Sequence, residues 1–212
     1  MKLHWRPARG KHAPWPVVLT DEVGTPPITL RPLRIGDEDD WHRIRADNAS
    51  HVKPWEPTLP PGVRARPAVS FKQFVRDLDA EARADHVLPW VIDVHGHIVG
   101  QVHIFGIVRG AQQSAAVGYW LDRSAGGQGI ATRAVALAVD HALHGAGLHR
   151  VEVNIRLDNE RSLGVVRRLG LRDEGVRRRF LHIDNAWRDH RTFAVTVEEL
   201  GPGGLLGRLP DR

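Results

Sequence analysis

Two hydrophobic rhythms alternate along the chain. Ile28-Thr29-Leu30-Arg31 puts an apolar side chain at every second position, the period of a half-buried strand. Trp41, Ile44 and Arg45 then share one side of a helix that Asp37 can cap. The segment KPWEPTLPPG (53–62) holds too much proline to be regular. Ser70 with Gln73 forms a capping-box pattern, and Phe71, Phe74, Val75 and Leu78 mark the apolar stripe of a second helix. The rhythm returns to strands in LPWVIDV (88–94), HIVGQVHIFGIV (97–108) and SAAVGYWLD (114–122), with His95-Gly96 as a short hairpin turn. Ile130, Ala134, Leu137, Ala138 and Ala142 follow helical spacing until Gly145 and Gly147. Val151, Val153 and Ile155 alternate with Glu152 and Asn154 as a strand does. Asn159 can cap a helix that buries Leu163, Val166 and Leu169, with Gly170 as its C′ residue. A last hairpin is predicted from 179–183 and 191–195, joined by residues 184–190.

The order is strand, two helices, three strands, helix, strand, helix, two strands. That predicts an α+β fold, a mixed α/β sheet of meandering strands with a crossover helix in the middle. Residues 27–200 are expected to be one domain. Residues 1–26 read as a peripheral N-terminal arm with a short edge strand in Trp15–Leu19, and the Gly/Pro-rich residues 201–212 as a flexible tail.

Composition narrows the chemistry. Cysteine is absent, which removes disulfides, thiolate metal sites and a Cys nucleophile, and fits a cytoplasmic setting. His95 and His97 are too few to hold a metal, and no third ligand is evident. No apolar run approaches the ~20 residues of a membrane span. The net charge is +5, with only four of thirty basic residues being Lys. Such a balance fits a solvated, arginine-rich surface first, and attraction to an anionic ligand or to RNA second, while the interspersed acidic residues argue against a nucleic-acid-coating arm.

The most pointed stretch is SAGGQGIA (124–131), between the third strand of the meander and the long helix. A helix start carries unpaired N–H groups and a partial positive charge, which together hold phosphate. Glycines let the backbone approach a diphosphate closely. The P-loop spacing is absent, since no Lys-Ser or Lys-Thr follows, and so is the dinucleotide fingerprint.

Strand, GGQGIA, helix, strand and Asn-x-x-Ser together resemble the GNAT superfamily of acetyl-CoA-dependent N-acetyltransferases. The superfamily loop is [RQ]-x-x-G-x-[GA]; Gly129 and Ala131 match its fourth and sixth positions, and Gly126 departs from the first. Asn154, Asn159-Glu160-Arg161-Ser162, Leu169-Gly170, Glu174-Gly175 and Asp184-x-x-Trp187-x-Asp189-His190 are similar to the RimJ/RimL-type ribosomal-protein alanine N-acetyltransferases. LRPLR (30–34) and KPWEP (53–57) also fit that group, so the resemblance spans roughly 27–197.

The resemblance implies a GNAT fold, a central mixed, mostly antiparallel sheet flanked by helices, with acetyl-CoA as cofactor and no metal. It assigns the diphosphate to Gly126, Gly127, Gln128, Gly129, Ile130 and Ala131. The pantetheine arm goes to the strand edge at Trp120, Leu121 and Asp122, and to Asn159. Ser162 is the candidate donor to the leaving thiolate; this chain has one tyrosine, Tyr119, on an earlier strand. Asn154 is a candidate to orient substrate or water. Glu56, Asp189 and His190 are alternative bases, with Glu56 placed in the catalytic set. Trp55, Trp187, Asp189 and His190 are the expected substrate contacts.

An α-amine of pKa about 7.8 is roughly one-third neutral at pH 7.5, against about 0.1% for lysine. A site without a strong base therefore favours a protein or peptide N-terminus, with a ribosomal protein as the candidate acceptor. The alternatives are a small-molecule amine, such as an antibiotic or polyamine, and a ribosome- or RNA-associated module with little turnover. No membrane and no specific nucleic acid are expected as partners, and the chain should act as a monomer or homodimer.

Overall fold

The chain order is β1 (Leu19–Asp21), β2 (Ile28–Pro32), α1 (Glu38–Asp47), α2 (Ala49–Val52), α3 (Phe71–Arg83), β3 (Val87–Val94), β4 (His97–Val108), β5 (Ser114–Leu121), α4 (Ile130–Asp140), β6 (Arg150–Arg156), α5 (Glu160–Arg168), β7 (Arg172–Ile183) and β8 (Ala186–Thr196). The structure is a computed structural model and describes residues 15–65 and 67–209; the outermost parts of the expected arm and tail lie outside these. The strands form one sheet in the order β1-β2-β3-β4-β5-β6-β8-β7. Every neighbouring pair is antiparallel except β5–β6. This is the α+β class expected from the sequence, a mixed, mostly antiparallel sheet flanked by helices.

Alternation along the strands assigns the two faces. Trp90, Ile92, Val102, Ile104, Val151 and Val153 join the main core with α4 and α5. Val91, one position out of phase, and Ile98, beyond the β3–β4 bulge, pack with Ile44 of α1 and Phe71 and Val75 of α3. Each such side chain removed from water contributes roughly 1.5–3 kcal/mol. α4 is apolar nearly all round because the sheet, α5 and residues 203–209 all cover it; Ala134, Val135, Ala136, Ala138 and Val139 are fully buried. Ser70 caps α3, its Oγ accepting from the Gln73 N–H at 3.2 Å. Asp37 behaves differently: its carboxylate accepts from the Arg34 N–H and from Arg31 and makes no cap bond into α1.

Three boundaries differ from the sequence reading. Residues 15–26 are built into the domain rather than peripheral. Trp15 is buried against Trp90 at 5.8 Å, and Asp21 forms a buried ion pair with Arg133 of α4 at 3.1 Å. The strand there is Leu19–Asp21, displaced toward the C-terminus from the expected one.

At the other end, residues 203–209 pack back on α4. Leu205 is fully buried, and Asp140 accepts from the Leu205 and Leu206 N–H groups at 2.7 and 3.0 Å.

The final hairpin is much longer than expected, and residues 184–190 are not its loop. Asp184 and Asn185 alone make the turn, with φ of 49° and 57°, the two left-handed positions of a tight hairpin. Trp187, Asp189 and His190 are therefore strand residues of β8.

Candidate active site

β5 and β6 run parallel and pair over three residues only, from Ser114↔Arg150 to Ala116↔Glu152. Beyond that each follows its outer neighbour. β5 stays on β4 as far as Leu121↔Gly100, and β6 stays on β8 as far as Arg156↔His190. The two strands part, and a cavity of about 1150 Å³ opens between them, lined from both faces of the sheet. A parted sheet leaves unpaired main-chain groups, which an extended amide-bearing ligand can use as an added strand would.

One end of the cavity is the start of α4. Gly129 is its N-cap with φ 71°, and no side chain caps the helix. The N–H groups of Ile130, Ala131 and Thr132 thus have no intrahelical acceptor. Gly127 also has positive φ, 82°, and Gly126, Gly127, Gln128 and Gly129 are exposed. A Cβ at Gly127 or Gly129 would meet nothing within 4 Å, so open space faces this backbone. At Gly126, whose φ of −68° any residue adopts, a Cβ would lie 3.2 Å from the Arg123 carbonyl oxygen, a tight contact that a small shift relieves. The cradle fits a diphosphate: free donors, a favourable helix dipole and room. Gln128 lies in the loop outside the cavity wall, while the three glycines, Ile130 and Ala131 line it.

Trp120, Leu121, Asp122 and Asn159 also line the cavity. Asp122 closes the turn, its Oδ1 accepting from the Ser124 N–H at 2.9 Å. Asn159 caps α5 through Oδ1, which accepts from the Ser162 N–H at 3.1 Å. Ser162 sits in the first turn of α5 and lines the cavity. Tyr119 reaches it from β5, with its hydroxyl 3.5 Å from the Ser162 carbonyl oxygen. Burial pushes the Tyr119 hydroxyl up to about 12, so it stays protonated.

The face opposite α4 carries Glu152, Asn154 and Arg156 of β6, with Thr192 and His190 of β8 in register. Asn154 Oδ1 accepts from the Thr192 hydroxyl at 2.7 Å, and its Nδ2 donates to Glu152 at 3.1 Å. Burial raises the Glu152 carboxyl, but bonds from Asn154, Arg177 and Arg150 carry it below its usual range. His190 is buried; its Nδ1 lies 3.0 Å from the Arg188 carbonyl, which places the proton there and leaves Nε2 as acceptor. Burial holds its pKa below the ordinary value.

Residues 53–58 wall the outer end. The Thr58 N–H donates to the His182 carbonyl at 2.8 Å, Thr58 Oγ1 contacts His182 Nδ1 at 2.8 Å, and Pro57 bridges to Ile183. Trp55 lies under the Arg156 guanidinium at 4.8 Å, and Glu56 Oε1 accepts from Arg45. Trp55, Glu56 and His190 all line the cavity; Trp187 and Asp189 do not. Trp187 is half exposed on the outer side against His182. Asp189 accepts from the Arg179 N–H at 2.8 Å, which fixes the β7 bulge beside Phe180.

The sequence reading passed over His103, Gln101, Phe180 and Arg177. Their only signal was the alternation of the strands that carry them. Among the described residues no group of three or more His, Cys, Asp or Glu could hold a metal ion.

The profile described as an acetyltransferase (GNAT) domain matches residues 28–172. A Mycobacterium smegmatis RimJ structure, in complex with CoA-disulfide, superposes with a TM-score of 0.81 at 40% identity, over 92% of this chain and 93% of that one. The ribosomal-protein-S5-alanine acetyltransferase of Vibrio fischeri superposes with a TM-score of 0.73 at 26% identity, over 88% of this chain and all of that one. By sequence, the Escherichia coli [ribosomal protein uS5]-alanine N-acetyltransferase is 28% identical over 80% of this chain and 88% of that protein. The probable N-acetyltransferase YjcK of Bacillus subtilis is 41% identical over 46% of this chain, which spans about half (54%) of that relative's length. A profile match over most of the chain, joined to the parted β5–β6 pair and the uncapped glycine loop, places this protein in the GNAT acetyltransferase family, with the RimJ/RimL-type enzymes.

Proposed function

We propose that this enzyme transfers the acetyl group of acetyl-CoA to the α-amine of a protein N-terminus, with an N-terminal alanine of a ribosomal protein as the leading acceptor. The observation that carries the reading is the cavity through the sheet. A diphosphate cradle stands at one end and a chamber on the opposite face at the other, so donor and acceptor can be held together. Direct transfer in a ternary complex follows, since no cysteine exists to carry the acetyl group. Bound acetyl-CoA supplies a thioester whose sulfur leaves as the amine nitrogen bonds the carbonyl carbon.

The residues divide the work. The amides from Gly127 to Ala131 hold the diphosphate, and the free edge of β5 with Asn159 holds the arm. The Ser162 hydroxyl donates its proton toward the leaving sulfur and takes one back, through water, from the amine nitrogen as the amide forms. Asn154, held by Thr192 and Glu152, orients the amine or a water. Glu56 keeps its second oxygen to receive the incoming ammonium, and Trp55 and His190 shape the chamber around it. A setting in the cytoplasm, where ribosomal proteins are made, belongs to the same proposal.

The electrostatics favour a single α-amine over a polyamine. Glu56 pairs with Arg45, and Glu152 with Arg177 and Arg150. Little uncompensated negative charge is left for a polycation. Acetyl-CoA consumption with Ala-starting peptides, N-blocked Lys peptides, polyamines and aminoglycosides tests this. Preference for the Ala-starting peptides is expected; preference for any other class overturns it. Intersecting initial-rate lines are expected, and parallel lines would rule out the ternary complex.

A further inference from the structure

We propose that His103 reads the acceptor's first carbonyl. Its ring N–H, oriented by a Trp120–Gln101 relay, hydrogen-bonds the carbonyl oxygen next to the reacting α-amine. The chamber thereby selects an amine that begins a peptide over an amine on an alkyl chain. This rests on the reading of the chamber as an acceptor site.

The relay fixes the ring by elimination. Val102 and Ile104 of β4 face α4, so Gln101, His103 and Phe105 lie on the opposite face and line the cavity. Trp120 Nε1 can only donate, and it lies 2.9 Å from Gln101 Oε1. That contact sets which end of the amide is oxygen. The Gln101 NH₂ is then turned to the His103 ring, where it lies against the ring nitrogens. An amide NH₂ has no lone pair to offer, so the ring nitrogen that it meets must accept and the ring proton must sit on the other one. Gly118 is directly opposite His103 on β5 and brings no side chain to compete for that proton.

The same wall reaches the candidate ammonium site. The Arg45 guanidinium stacks on Trp120 at 5.1 Å and donates to Glu56. Glu56 and His103 line the same cavity, so its wall carries a carboxylate and a neutral N–H donor, the two groups that an ammonium and its neighbouring carbonyl would use. The donor must stay neutral, because a charged imidazole would repel the incoming ammonium. Burial secures this by pushing the His103 pKa down to about 3.

The test compares an Ala-starting peptide with a carbonyl-free alkylamine, using kcat/KM corrected for the neutral-amine fraction. His103→Phe is expected to lose about tenfold on the peptide, the value of one good hydrogen bond, and to leave the alkylamine unchanged. Equal loss on both, or on neither, overturns the proposal. Gln101→Glu keeps the acceptor for Trp120 but presents a carboxylate to the ring, drawing the proton to the nitrogen that faces it; the same selective loss is expected. Should His103→Phe fail to fold, Gln101→Glu carries the test.

Nitrogen NMR of the His103 ring gives an independent readout. A single neutral tautomer from pH 5 to 8, replaced by the other in Gln101→Glu, is expected. A mixture of tautomers in the parent, the same tautomer in both proteins, or titration near 6.5 refutes the relay. Calorimetry of Ala-peptide binding to the CoA-bound enzyme separates the two readings. A parent that binds the peptide without turnover ends the proposed function alone, whereas unchanged binding by both variants ends the role of His103.

Discussion

Gly129 holds φ at 71° with nothing near its missing Cβ, so its requirement for glycine is conformational and comes from the backbone itself. Gly129→Asp adds strain, bulk and like charge at the cradle. CoA affinity by calorimetry is expected to fall at least about tenfold, given the roughly 1–2 kcal/mol that the left-handed conformation costs a residue with a Cβ. Ser162→Ala should reduce kcat by about a hundredfold, the lower range for a proton donor, while the KM for acetyl-CoA stays nearly constant. The pH profile follows from the cavity bases. His103, His190 and Glu152 all sit below their ordinary values, so none titrates on the alkaline side. The kcat/KM limb should rise with unit slope through the acceptor's own amine pKa, about 7.8 for an α-amine, and shift when peptides of different amine pKa are used. A limb fixed against acceptor pKa would assign the titration to the enzyme.

Among elements, the C-terminal segment and the last hairpin show how context overrides composition. The run GPGGLLGRLP looks loose, yet Leu205 fills a place beside α4 and Asp140 caps the turn that carries it. Leu205→Ala is expected to destabilise the domain by about 2–4 kcal/mol in denaturant unfolding, with CoA affinity retained in the folded protein. The α4 and α5 helices, the β4 strand and the glycine loop were legible because each has a strong local period and a local stop signal. The hairpin was not. Arg177, Arg178, Arg179, Arg188 and Asp189 interrupt its apolar alternation, since β7 is an edge strand with bulges where charged side chains reach water. The strap of 53–58 was legible only as irregular; its bonds to His182 and Ile183 join positions far apart in the chain.

For the whole molecule, the decisive feature is the divergence of β5 and β6. It makes one cavity that meets both faces of the sheet, and it is why a single loop motif can serve a two-substrate reaction. Stability should also depend on pH as a whole-molecule property. His103, His141 and His190 are each held below the usual imidazole value, and the His141 Nε2 is buried without a partner among the described residues. The unfolded chain therefore binds more protons below about pH 6.5, so stability is full above that value and falls as pH drops toward the folded pKa values. Thermal unfolding should show Tm falling from pH 7 to pH 5. His141→Asn should flatten that slope in part; an unaltered slope would remove His141 from the account.

The sequence alone determined the fold class, the glycine-led start of α4 and the family, because hydrophobic period, glycine placement and cap residues act over a few neighbouring positions. Only the tertiary structure decided which side chains share the chamber. It brought Gln101, His103 and Trp120 together with Arg45 and Glu56, and kept Trp187 and Asp189 out of the cavity. Those outcomes depend on strand register, on where two parallel strands part and on which face each residue takes, and a shift of one position would reverse them all.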